Sequence, residues 1–305
     1  MKKTIHCVLF LFMILALAAC DQGGSPASTQ EMQIGTDATS VDAPAATEAP
    51  VDGSLPPDPQ EIDFQASDGQ TLQGRYYPAA VNPSPLVVLM HWVGGDMTDW
   101  NEIAVWLQNR GLANPFTNPD TGDWWDPTWF PLVPDEVSYG VFVFSFRDCQ
   151  PYPAGCADWI PEAWLLDAQA AMLRAMELEG IDPSAIVAIG SSIGADGAAN
   201  GCTFLNEQVP GACRGAASLG PGDYMGVPYA RNVELLGLQE PPAPAWCLVD
   251  PLNAFDYSVC SGLAGDHYAL REFPSAGHGQ TLLREEVTPS AMETLLEFLE
   301  TAVGP

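Results

Sequence analysis

Polar and apolar positions alternate in blocks along most of the chain. Glu61–Ala66 and Thr71–Tyr77 flank Ser67-Asp68-Gly69-Gln70, a pattern that predicts a hairpin turning at Asp68-Gly69. Leu86–Met90 is an unbroken apolar run, as expected of a strand buried on both faces. Val141–Phe146, Ala185–Ile189, Ala216–Leu219, Trp246–Val249 and Tyr268–Phe273 predict further short strands. Between them the spacing turns helical. Trp100, Ile103, Ala104 and Leu107 share a face in a segment ending at Gly111; Leu166, Ala170, Leu173 and Leu178 mark a helix over 163–178; Leu295, Leu296, Phe298 and Leu299 mark one over 289–303. Strands that alternate with helices predict an α/β domain: a mainly parallel central sheet with helices on both faces.

The first 59 residues follow another rule. Met1-Lys2-Lys3 is basic, Val8–Ala19 is apolar throughout, and Leu17-Ala18-Ala19-Cys20 closes the run. This is the layout of a secretory signal, too short for a spanning helix. Its ending resembles a bacterial lipobox, which implies lipidation of Cys20 and a cell-envelope protein anchored to a membrane and facing outside the cytoplasm. Residues 21–59 are dominated by Ala, Ser, Thr, Pro, Gly, Asp and Glu, with too few large apolar side chains to offset ordering entropy. They read as a disordered, low-complexity tether. The folded domain is expected over 60–305, enough for a single α/β core.

Residues 112–138 break the rhythm with five prolines and Trp124, Trp125 and Trp129. They read as an irregular insertion whose tryptophans fill a small core of their own, the alternative being an aromatic platform for a flat substrate.

Charge narrows the partners. The chain carries 10 Lys+Arg against 39 Asp+Glu. Both lysines lie in the first three residues, so no lysine follows the signal. A basic face for phosphate is missing, which argues against nucleic acid as a partner. Beyond Cys7 and Cys20, six cysteines remain: Cys149, Cys156, Cys202, Cys213, Cys247 and Cys260. An even number in an exported chain points to disulfides, most simply between sequence neighbours, rather than to metal; no Cys-x-x-Cys occurs among them.

The candidate chemistry centres on Gly190-Ser191-Ser192-Ile193-Gly194, which follows a predicted strand and opens a small-residue helix. Gly-x-Ser-x-Gly at a strand-to-helix turn is the nucleophile elbow: small neighbours permit a strained turn that lifts the Ser192 hydroxyl clear of the sheet. Serine needs a base. Of His91, His267 and His278, only His278, in Ser275-Ala276-Gly277-His278-Gly279, follows the last strand and so reaches the sheet edge where the elbow points. His91 is expected to be a structural hydrogen-bonding residue and His267 a surface residue at the opposite edge. The acid should follow Trp246–Val249, which leaves Asp256 or the alternative Asp250. The Ile193 N–H and that of Trp92 or Val93, in His91-Trp92-Val93-Gly94-Gly95, are the expected oxyanion donors.

On the Gly190–Gly194 motif, Gly277-His278-Gly279 and the 91–95 loop, the chain resembles the α/β-hydrolase superfamily from about residue 60 to its end. The resemblance implies an α/β-hydrolase fold and a serine hydrolase cleaving carboxylic esters through an acyl-enzyme. It implies a small-molecule acyl substrate, no cofactor and no metal. A peptidase or amidase on the same fold, and a non-catalytic tethered binding protein, are the rival readings. Many members have His-Gly where this chain has His91-Trp92, a difference expected to narrow the acyl pocket. The short stretch between Leu219 and Trp246 leaves no room for a large cap, so an open site is expected.

Overall fold

The computed structural model describes residues 55–116 and 126–304. Cys20, the signal, nearly all of the tether, Trp124 and Trp125 lie outside the described residues.

The expected strands form one eight-stranded sheet. β1 (Gln60–Gln65) and β2 (Thr71–Tyr77) pair antiparallel across the predicted turn, where Gly69 takes a positive φ of 87° and Ala66 N–H bonds Gln70 O. β2 then pairs antiparallel with β4 (Gly140–Phe144). From β4 onward the sheet is parallel, through β3 (Ser84–Met90), β7 (Ile181–Ser191), β8 (Cys213–Leu219), β9 (Ala245–Val249) and β10 (Tyr268–Glu272). The order across the sheet is β1-β2-β4-β3-β7-β8-β9-β10. β5 (Cys149–Gln150) and β6 (Gly155–Cys156) make a separate small hairpin.

Strand pleating explains the all-apolar runs. Leu86, Val88 and Met90 of β3 enter one core with Ile186 and Ala188 of β7, while Val87 and Leu89 enter another with Val187 and Ile189. The first core is covered by α2 (Pro161–Ala175), α3 (Ile193–Gln208) and α4 (Tyr229–Gly237). The second is covered by α1 (Asn101–Gln108) and α6 (Ala291–Val303). α5 (Ala254–Cys260) lies beside β9.

Helix ends follow local chemistry more than periodicity. α1 is shorter than expected because Asn109 takes the left-handed conformation and stops it before Gly111. α2 starts at Pro161, where a missing N–H costs nothing. α6 starts two residues late because Ser290 caps it through Glu293 N–H. The periodicity reading missed α4, α5 and the β5–β6 hairpin.

Three disulfides join sequence neighbours: Cys149–Cys156 closes the hairpin, Cys202–Cys213 ties α3 to β8, and Cys247–Cys260 ties β9 to α5. Trp129 packs edge-on against Phe130, which packs edge-on against Trp106 of α1. The described part of the 112–138 insertion thus joins the core on the α1 side.

Candidate active site

β7 runs directly into α3 through Ser192, whose φ of 55° and ψ of −117° are uncommon for a side-chain-bearing residue. The surrounding glycines are obligatory. A Cβ on Gly190 would strike the Gly194 carbonyl, and one on Gly194 would strike the Met90 and His91 carbonyls. The first turn of α3 therefore sits against the chain leaving β3. Ser192 N–H is consumed by Leu219 O of β8 at 2.9 Å. That of Ile193, in the first helical turn, has no intrahelical acceptor.

His278 arrives from the loop after β10. That loop is pinned at two points. Asp250, at the end of β9, accepts N–H bonds from Ser275 (3.1 Å) and Gly277 (2.9 Å), and Thr281 Oγ1 accepts from His278 N–H at 2.9 Å. His278 Nε2 stands 2.9 Å from Ser192 Oγ. Its Nδ1 stands 2.6 Å from Asp256 Oδ2. With Nδ1–H donated to the carboxylate, Nε2 is free to accept the serine proton. Asp256 is buried on α5, and Asn253 fixes it: the Asn253 side chain caps α5 through Phe255 N–H (3.2 Å) and Asp256 N–H (3.4 Å) and donates to Asp256 Oδ2 at 2.7 Å.

Of the two candidate acids, the structure brings Asp256 to His278 and leaves Asp250 elsewhere. Asp250 is a loop anchor, and an adjacent position in sequence could not reveal this. Burial opposes its ionisation, but the N–H donors of Gly277, Leu252 and Ser275 outweigh that and hold its carboxyl below the ordinary range.

The 91–95 loop lies next to the elbow. His91 is fully buried: its Nδ1 bonds Trp92 O (2.7 Å), and its Nε2 accepts from Phe146 N–H (2.9 Å). Burial pushes it down to about 4, so it is a neutral structural residue. Neither Trp92 nor Val93 N–H donates to a backbone carbonyl among the described residues. The Trp92 indole stacks on Tyr152 (6.0 Å between centroids) and donates to Asp99 Oδ2 at 2.8 Å. Val93 O accepts from Cys156 N–H at 2.9 Å, so the disulfide hairpin braces this loop. His267 is at the other end of β10, half-buried rather than on the surface, with Nε2 3.0 Å from Val233 O.

Several residues at the site escaped the sequence reading. Gly220, with φ of 63°, lies against the His–Asp pair: a Cβ there would come within 2.9 Å of His278 Nδ1 and 3.0 Å of Asp256 Oδ2. Asp196, buried in the first turn of α3, accepts N–H bonds from Gly222, Asp223 and Tyr224, each at 3.2 Å. It thereby places the Tyr224 ring edge-on to His278, 6.3 Å between centroids. No local spacing links Asp196 to residues 222–224; a glycine just after a strand was the one clue available for Gly220.

Superposition on solved structures matches this architecture. Alpha/beta hydrolase GrgF from Penicillium sp. sh18 aligns with a TM-score of 0.55 at 14% identity, over 82% of this chain and 100% of its own. EstE1, a thermostable carboxylesterase cloned from a metagenomic library, aligns with a TM-score of 0.55 at 14% identity, over 83% of this chain and 91% of its own. The Pyrococcus furiosus esterase Pf2001 gives 0.52 at 15%, over 84% and 100%. The chain has the α/β-hydrolase fold. No protein-family model matches the sequence, and neither does any curated protein. Within an α/β-hydrolase fold, Ser192 follows a central strand, and Asp256 and His278 follow the last two strands in turn.

Proposed function

We propose that this chain is a serine hydrolase that cleaves carboxylic esters through an acyl-enzyme, held outside the cytoplasm by an N-terminal lipid on Cys20. One observation carries the catalytic part: a hydrogen-bonded Ser192–His278–Asp256 line (2.9 and 2.6 Å) that begins at a strained elbow. Two of the structural neighbours are an esterase and a carboxylesterase by name, which supports esters as the substrate class.

Ser192 Oγ attacks the ester carbonyl carbon while its proton passes to His278 Nε2. The carbonyl oxygen becomes an oxyanion, held by Ile193 N–H and by the N–H of Trp92 or Val93. Nε2 then protonates the leaving alcohol oxygen. Water enters, loses a proton to Nε2 and attacks the acyl carbonyl; the acyl–Oγ bond then breaks as Nε2 returns that proton to Oγ, which releases the acid and restores Ser192. Asp256 keeps the imidazole in the tautomer that both half-reactions need.

A fluorophosphonate probe should label the wild type, and Ser192→Ala should abolish labelling and ester turnover. Labelling that survives the substitution removes Ser192 from this role. Matched short-chain ester and amide substrates separate an esterase from an amidase. Turnover of neither would leave a binding protein.

A further inference from the structure

We propose that Trp159, Tyr224 and Phe255 form the wall against which the alcohol part of the ester lies, and that this part is an uncharged aromatic or comparably flat apolar group. The proposal rests on the hydrolase reading above and narrows its substrate.

Three separate segments converge to build the wall. Trp159 follows the β5–β6 hairpin, Tyr224 follows β8, and Phe255 lies on α5 one residue before Asp256. Tyr224 is central: its ring centroid lies 5.8 Å from that of Trp159 and 5.9 Å from that of Phe255. Trp159 stands at 84° to Tyr224 and Phe255 at 34°, so the three rings make an apolar corner. Trp159 is also braced from behind by the buried Trp164, at 5.2 Å. Tyr224 is held by the N–H bonds to Asp196, and its ring lies over Gly222 with no space for a Cβ. The corner is thus rigid before any ligand arrives, which lowers the ordering cost of binding.

Yet the outer rings are not covered. Trp159 is 55% exposed and Phe255 is 56% exposed. Two large aromatic side chains left in water against the Tyr224 ring, which itself faces the imidazole, form the kind of apolar surface that marks a binding site.

The mechanism says which part of the ester meets them. The leaving oxygen must come within reach of His278 Nε2 to take its proton. The group attached to that oxygen then extends on the imidazole side, where Tyr224 stands. Charge completes the assignment. Asp158 and Asp223 flank two of the rings in sequence and are exposed, and the whole chain carries a formal charge of −29. An anionic alcohol would be repelled, so an uncharged one fits.

The test uses the full-length protein in detergent with two acetates whose alcohols have similar acidity: phenyl acetate and hexafluoroisopropyl acetate. Wild type should favour the phenyl ester by about tenfold in kcat/KM, the scale of an aromatic contact in a desolvated corner. Trp159→Ala and Phe255→Ala, both at exposed positions, should each reduce that ratio several-fold while fluorophosphonate labelling of Ser192 persists. A ratio near one, or a ratio unchanged in both variants, overturns the wall. So does a ring preference that appears only in the acyl half, read from hexafluoroisopropyl benzoate against its acetate. A wild type that labels but shows no preference removes the wall alone; one that never labels removes the hydrolase reading and the wall with it.

Discussion

At the scale of single residues, Gly220 shows how little space surrounds the His278–Asp256 pair. A methyl group at that position would press on both partners of the hydrogen bond and would have to adopt a φ of 63°. Displacements of about 1 Å at a reacting group cost on the order of 100-fold in rate. Gly220→Ala should therefore lower kcat about 100-fold while the far-ultraviolet circular dichroism stays native. Full activity would show that the pair tolerates the displacement. Buried Asp99 supports a second prediction. Burial pushes it up to about 7, although the Trp92 indole bond pulls the other way. An unfolded aspartate ionises near 4. The folded chain thus holds a proton that the unfolded chain releases between about pH 4 and 7. The stabilisation from this group is full below about pH 4 and is lost as pH rises through about 7. Asp196, also pushed up to about 7 by burial, acts in the same direction. His91 acts oppositely: its folded value is depressed to about 4, so its share is lost as pH falls from about 6.5. Asp99→Asn isolates the first effect. The variant should gain roughly 1–3 kcal/mol on wild type between pH 4 and 8, read from paired denaturation curves. A gap that stays constant with pH would show that Asp99 ionises normally. Neither Gly220 nor Asp99 could be singled out from sequence: Gly220 matters through His278 and Asp256, far along the chain, and Asp99 through a burial that no local pattern announces.

At the scale of elements, the parallel strands were legible because burial on both faces demands continuous apolar runs, and those runs are rare elsewhere. The elements that escaped have other causes of order. α5 is seven residues long and is held by the Asn253 cap and the Cys247–Cys260 disulfide rather than by an apolar stripe. The β5–β6 hairpin has two residues per strand and is closed by Cys149–Cys156. That hairpin also has a functional position. It holds the 91–95 loop through Cys156 N–H to Val93 O and through the Tyr152–Trp92 stack, and Gly155 packs against the Gly94 backbone. Replacing Cys149 and Cys156 together by serine should loosen the loop proposed to supply the second oxyanion donor. We expect kcat/KM to fall about tenfold or more, short of the roughly 100- to 1,000-fold cost of losing an oxyanion donor outright. Replacing Cys202 and Cys213, on the buried α3–β8 seam, should instead cost about 2–4 kcal/mol of stability and leave kcat near its native value. Equal kinetic effects from both pairs would remove the special role of the hairpin.

At the scale of the whole molecule, charge is spent unevenly. Arg147 is one of eight arginines beyond the signal, and it bridges Asp68 in the β1–β2 turn and Asp167 of α2. The acidic majority has few cations to meet, which favours solubility and repels anionic ligands. The N-terminal reading also belongs to this scale. If Cys20 carries the lipid, Cys20→Ser should stop incorporation of an alkynyl palmitate label and move the protein from the membrane fraction to the soluble one. Retention of both label and membrane association would place the anchor elsewhere.

By itself the sequence determined the fold class, the elbow serine and the histidine that answers it. All of these follow from short-range rules: apolar runs make buried strands, small residues permit a strained turn, and chain order assigns loops to one edge of a parallel sheet. It left Asp250 and Asp256 open, because both follow the same strand and spacing alone cannot say which carboxylate turns toward the imidazole. Only the tertiary structure decided that, through the Asn253 cap that directs Asp256 inward and the loop N–H groups that capture Asp250. It also placed the Tyr224 ring beside His278, with Trp159 and Phe255 against that ring, from segments with no common motif, since a corner assembled from residues 159, 224 and 255 exists only once the sheet has brought their loops together.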